Sequence, residues 1–324
     1  MPIHSALCAE CRPIKMNSRV KGFIAGVLAA VFYGTNPLGA LPLYAERITS
    51  GNVLFYRYGI TMLLFAMWML MKKENFKIKW GHAVKFAILG SLFGLSSATL
   101  FMSFHFMSAG VASTILFSYP IMTAMLMVVF YHERITWGTT FALALAITGI
   151  GMLYRGDGGQ PLNVTGVMLV LASSLFYALY IVYVHQFKTE MSVVKYTFWV
   201  IAFGWLTIIG YMIFAGDPLQ TLNTPKEWLC VIQLAVLPTL LSLYFINVSI
   251  QLIGSTPTSI LGALEPVTAV MISTLVFSEV FTWRLASGIA LIVAAVILII
   301  LRKQPVEGSH PNKPRALERR KVGD

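Results

Sequence analysis

Charge is scarce in this chain of 324 residues. Only 11% are Asp, Glu, Lys or Arg and 57% are hydrophobic, with a mean hydropathy of +0.75, whereas soluble domains hold about 25% charged and about 45–50% apolar residues. That balance excludes a water-soluble fold and an intrinsically disordered chain. Cysteine is scarce too. Three residues are too few for a disulfide-stapled secreted domain. Cys8 and Cys11 form a single CxxC, without the second CxxC or His pair that a four-ligand site needs, so neither a metal nor a cofactor is expected. GxxxxGK[ST] and HExxH are both missing, which removes an on-chain ATP engine and a zinc-protease centre. No loop pairs carboxylates with His or Cys as a catalytic centre would require. Acidic residues number 13 against 24 Lys and Arg, a net charge of +11. The basic residues lie in short loops and tails, so topology accounts for them without nucleic acid.

What the chain has is long apolar runs. A bilayer core about 30 Å thick takes ~20 apolar residues per helix, and ten segments qualify: 22–42, 51–71, 83–106, 110–131, 135–154, 163–185, 193–215, 228–251, 256–277 and 281–301. They are spans 1 to 10 below. The reading is an all-α polytopic membrane protein whose partner is the lipid bilayer. Its Lys and Arg residues place both termini in the cytoplasm, with 19 on that side and 4 on the other, Arg57 lying inside a span. Met16 to Lys21 reads as a basic start before span 1, and deletion of residues 1–15 is expected to leave function intact.

The two halves of the chain repeat. Pro120 and Pro266, Glu133 and Glu279, and Thr136-Trp137 and Thr282-Trp283 are each 146 residues apart, while Gly22 and Gly166, and Phe32-Tyr33 and Phe176-Tyr177, are 144 apart. Each half is then a unit of five helices. Five being odd, the second unit enters the membrane upside down, the inverted-repeat plan of many secondary transporters. The parts are a cytoplasmic tail (1–19), a first repeat (20–155), an outer loop (156–162), a second repeat (163–301) and a basic cytoplasmic tail (302–324).

Particular residues carry a resemblance. Phe104 through Ala112 to Tyr119-Pro120, followed by His132-Glu133-Arg134-Ile135-Thr136, resembles a first EamA repeat. Ala263-Leu264-Glu265-Pro266-Val267, followed by Ser278-Glu279-Val280-Phe281-Thr282, resembles a second. The chain is similar to ten-helix EamA-type carriers of the drug/metabolite transporter superfamily. The resemblance implies a small-molecule solute such as an amino acid, a related metabolite or a drug, often exported, and a cavity lined by spans 1, 3, 4, 6, 8 and 9. It also implies a bacterial inner (plasma) membrane. A membrane-embedded enzyme and a non-transporting scaffold or receptor are the competing classes.

Ionisable groups inside spans mark candidate sites. Glu265 is the tenth residue of span 9, about 14 Å in by helix rise. It is either a substrate or proton site or a cap on backbone groups freed beside Pro266. Arg57, seventh in span 2, either snorkels outward or reaches inward to Glu265 or an anionic substrate group. Pro37, Pro120, Pro238 and Pro266 free the carbonyls of Tyr33, Leu116, Leu234 and Gly262, for substrate binding or bending. Tyr33, Asn36, His105, Tyr119, Tyr177, Tyr244, Asn247 and Gln251 complete the candidate cavity, with Tyr119 facing Glu265 across the pseudo-axis and Tyr244 and Asn247 sharing a helix face. His105 lies near an outer end. Glu133 and Glu279 read as structural carboxylates before spans 5 and 10, with Thr136 and Thr282 as helix caps.

Overall fold

The computed structural model describes residues 18–131, 137–154, 163–187, 191–253, 258, 261–262 and 264–302. Residues 1–17 with Cys8, Cys11 and Met16, the segment 132–136 with Glu133 and Thr136, the loop 155–162, Ala263 and the tail 303–324 lie outside the described residues, as does the Gln251 side chain.

Helices account for all regular structure among the described residues. They are α1 (Ser18–Gly34), α2 (Asn36–Ala45), α3 (Ser50–Met71), α4 (Trp80–Ser103), α5 (Ala109–Leu116), α6 (Tyr119–Tyr131), α7 (Trp137–Tyr154), α8 (Val164–Gln186), α9 (Val193–Ala215), α10 (Pro225–Ala235), α11 (Ser242–Ile253), α12 (Leu264–Phe277) and α13 (Trp283–Arg302). Among the described residues six stretches are long and apolar enough to cross a membrane: Ser18–Ala45, Ser50–Met71, Trp80–Ser103, Val164–Val184, Val193–Ala215 and Pro225–Ser249. The other expected spans correspond to α5–α6, α7, α12 and α13. Leu63, Leu70, Ile213, Phe214 and Leu275 stand exposed, as side chains facing acyl chains do.

Proline explains where the helices break, because it withdraws one N–H from the ladder and crowds the preceding turn. Span 1 divides at Thr35, between α1 and α2, one turn from Pro37. Span 4 divides at Phe117 and Ser118, just before Pro120. Span 8 keeps its hydrogen bonding through a wide π turn, Val236–Leu241, around Pro238. α12 opens with Glu265 and Pro266 in its first turn.

The packing obeys the repeat. α1 lies on α11 as α8 lies on α4, α1 on α12 as α8 on α6, and α4 on α9 as α10 on α3. α3 pairs with α9, α5 with α12 and α7 with α13. Exchanging each span of one half for its mate in the other reproduces this set of neighbours, as a two-fold relation between repeats requires.

Small residues set the closest approaches. Gly22 and Gly26 meet α11 through Ile253 and Ser249. Gly90 meets α9 so closely that a methyl there would stand 2.5 Å from the Phe203 Cβ and 2.6 Å from the Gly204 amide nitrogen. Backbone cannot yield as a flexible side chain does. Gly90→Val is therefore expected to lower the melting temperature of the purified protein, by the equivalent of about 1–3 kcal/mol for overpacking, whereas Gly81→Val, with open space around its position, should melt like the parent.

Candidate functional site

Two broken helices converge on Arg57. It is 2% exposed, so it does not snorkel to the surface. Its Nε donates to Thr239 Oγ1 at 2.8 Å and its Nη1 to Asn36 Oδ1 at 3.0 Å. Its guanidinium lies 5.2 Å from the centre of the Phe101 ring. Thr239 in turn donates to Leu234 O at 2.9 Å, and the Asn36 amide to Tyr33 O at 2.7 Å. Those are the carbonyls that Pro238 and Pro37 deprive of a backbone partner. Each is satisfied by a polar residue next to the proline, and each of those residues then accepts from Arg57. The α1 end of this arrangement is also the negative end of a half-helix dipole, which favours a cation. The Arg57 charge is thereby accommodated without a carboxylate.

The other two freed carbonyls are occupied as well. Leu116 O accepts from the Ser174 hydroxyl at 3.1 Å, and Gly262 O from the Glu265 backbone amide at 2.9 Å. Each of the four carbonyls read from sequence as serving substrate binding or bending thus already has one donor within the protein, as membrane-depth backbone requires.

Glu265 departs from expectation in two respects. Among the described residues its carboxylate makes neither an ion pair nor a hydrogen bond, to Arg57 or to any backbone group. The capping reading fails because the backbone amide of Glu265 already satisfies Gly262. The Arg57 pairing fails because Arg57 is held by Asn36 and Thr239. The carboxylate sits instead in the first turn of α12, where the positive end of a helix dipole favours an anion. Gly34 packs against its backbone carbonyl. Tyr33, Tyr119 and Tyr177 all lie within electrostatic reach of its side chain, and Tyr33 is within reach of Arg57 as well. Tyr119 and Tyr177 meet edge to face with ring centres 4.7 Å apart, and Tyr177 stacks on Tyr180 at 5.9 Å.

Other expected site residues lie elsewhere. The exposed His105 meets Ser50 Oγ through its Nε2 at 2.9 Å and lies tilted against the Tyr44 ring, centres 4.3 Å apart. Asn247 donates to Leu243 O in its own helix at 2.7 Å, and Tyr244 packs on Trp68 at 5.2 Å. Neither bonds to Arg57, Glu265 or the three tyrosines among the described residues. Glu279 accepts from the Ala109 amide at 3.2 Å. It therefore serves the start of α5, in the opposite repeat, and not the start of α13 that follows it in sequence. Thr282 accepts from the Leu285 amide at 3.2 Å and caps α13. Thr239, Phe101 and Ser174 belong to the arrangement and were not singled out from sequence. Only Thr239 had a signal, a hydroxyl immediately after an intramembrane proline.

Against this geometry the comparisons are specific. The model of the EamA-like transporter family matches residues 20–155 and again 164–301. The chain belongs to the EamA-like transporter family. An uncharacterized transporter of Synechocystis is 28% identical over 220 residues, spanning 66% of this chain and 65% of its own length. An uncharacterized transporter of Archaeoglobus fulgidus is 20% identical over 287 residues, 88% of this chain and all of its own. A solved crystal structure superposes with a TM-score of 0.62 at 18% identity, covering 88% of this chain and 98% of that one, a likeness of fold. This EamA-family chain is thus an integral membrane protein of transporter type, with its two family repeats and its broken helices in the same chain.

Proposed function

We propose that this EamA-family chain is a secondary carrier of a small organic solute in a bacterial plasma membrane, working by alternating access, exporting, and coupled to protons through Glu265. The carrying observation is the Glu265 carboxylate at a half-helix start, without an ion pair among the described residues, with three tyrosines within electrostatic reach and the buried Arg57 held elsewhere. Intramembrane carboxylates outside ion pairs mark ion and substrate pathways, and discontinuous helices are where such carriers bind. Each repeat supplies part of the site, so rocking one repeat on the other would expose Glu265 to each side in turn. Purified protein in proteoliposomes should release a trapped solute from an amino-acid and metabolite panel faster than empty vesicles do, and faster still under a pH gradient. No flux for any solute in correctly inserted protein would remove the carrier reading.

The proposed orientation has both termini in the cytoplasm. A cysteine placed at Gly158 in a background lacking the native cysteines should react with an impermeant maleimide added outside intact cells. Reaction only after the membrane is opened would reverse the topology.

A further inference from the structure

We infer that the Glu265 site takes a positively charged group, an ammonium or guanidinium carried by the solute, cradled by the faces and hydroxyls of Tyr33, Tyr119 and Tyr177. This rests on the carrier reading and names its substrate class. Among the described residues the carboxylate has no positive partner, because Arg57 is fastened to Asn36 and Thr239 at 3.0 and 2.8 Å. An ionised, half-buried carboxylate without a counter-charge at membrane depth is costly, and when Glu265 gives up its proton a bound cation offsets that cost. Tyr119 and Tyr177 meet edge to face, ring centres 4.7 Å apart at 82°, so they offer two π surfaces in different directions, both within electrostatic reach of Glu265, and aromatic faces recognise organic ammonium groups. None of the hydroxyls of Tyr33, Tyr119 and Tyr177 carries a hydrogen bond among the described residues, so each is available to accept from an N–H. An anionic group has no such welcome here: among the described residues the basic side chain within electrostatic reach of Tyr33 is the occupied Arg57, and an ionised Glu265 repels an anion.

The test is the melting temperature of the purified full chain against increasing methylammonium, guanidinium and tetramethylammonium chloride, with sodium chloride and potassium chloride at matched ionic strength. Organic cations should raise it in a saturable manner. In Glu265→Gln the half-saturating concentration should rise about tenfold or more, the loss of about 1.4 kcal/mol of binding. Tyr119→Phe keeps the ring and removes the hydroxyl. It should weaken methylammonium, which donates N–H bonds, and leave tetramethylammonium, held by the ring faces alone, within about twofold. A saturable rise with sodium or potassium alone, lost in Glu265→Gln, would assign the cation site to an inorganic co-ion instead of the solute and overturn the substrate class. Indifference of the wild-type protein to every cation, or equal responses in wild type and Glu265→Gln, overturns the site itself. Binding is read without transport, so organic-cation shifts in a protein without flux would count against the carrier reading alone, and flux without them against this inference alone.

Discussion

Arg57→Met should lower the melting temperature more than any other single change in the site, and transport should fall with it. Methionine fills much of the space of the aliphatic stem and retains apolar contact with Phe101, so the loss falls on the polar head. Two hydrogen bonds disappear, from Nε to Thr239 at 2.8 Å and from Nη1 to Asn36 at 3.0 Å, each worth about 1.5–3 kcal/mol when the donor is charged. Removing a buried charge relieves its desolvation, and when a whole ion pair is replaced by apolar residues that relief often balances the account. Here only one side is removed. The oxygens of Thr239 and Asn36 remain, in residues only 0% and 4% exposed, each having lost its Arg57 donor. Unsatisfied acceptors in a water-free interior cost about 1–3 kcal/mol each, so the loss should exceed the relief, by about 2–4 kcal/mol in all. Arg57→Lys should fall between, since one ammonium on a flexible stem does not reproduce the fork that reaches both breaks. The companion Thr239→Val and the Arg57→Met/Thr239→Val double variant complete a cycle, read by thermal melting. Independent, additive effects would show that Arg57 does not tie the two breaks together.

Glu265→Gln is the second large effect, and it should separate stability from transport. The carboxylate has no hydrogen bond or ion pair among the described residues, so the amide, of nearly the same shape, should leave the melting temperature within about 1 kcal/mol of the parent, as expected for a change that breaks no buried contact. Proton-driven flux should nevertheless disappear, because glutamine does not titrate. The measurement is solute flux in proteoliposomes with and without an imposed pH gradient, next to a melting curve. A well-folded Glu265→Gln protein that retains the wild-type response to the gradient would exclude Glu265 as the coupling group. A Glu265→Gln protein that fails to fold would point to a structural role that the unpartnered carboxylate gives no reason to expect. Glu265→Asp retracts the carboxyl by one methylene and should keep a gradient response at reduced rate, since it still titrates.

The apolar runs determined most of the fold without help, because the bilayer requires each crossing segment to be long, apolar and internally hydrogen-bonded. The constant spacing of Pro120 with Pro266 and of Glu133 with Glu279 determined the repeat, and the prolines indicated where helices would be interrupted; that Glu265 stands in the first turn of a half-helix came from the structure. Only the tertiary structure decided what the embedded polar groups touch. Arg57 was open, on sequence, to the surface, to Glu265 or to a ligand; the packing of α3 beside the π turn Val236–Leu241 and α2 gave it Thr239 and Asn36. Glu279 follows α12 and precedes α13 in the chain, yet its carboxylate binds the start of α5, because α5 is the helix that α12 lies against. Periodicity and hydropathy act along a helix and are written in consecutive residues. The partners of a side chain lie across helices, dozens or hundreds of residues away, and are chosen by which glycines let two backbones close and which prolines leave a carbonyl seeking a donor.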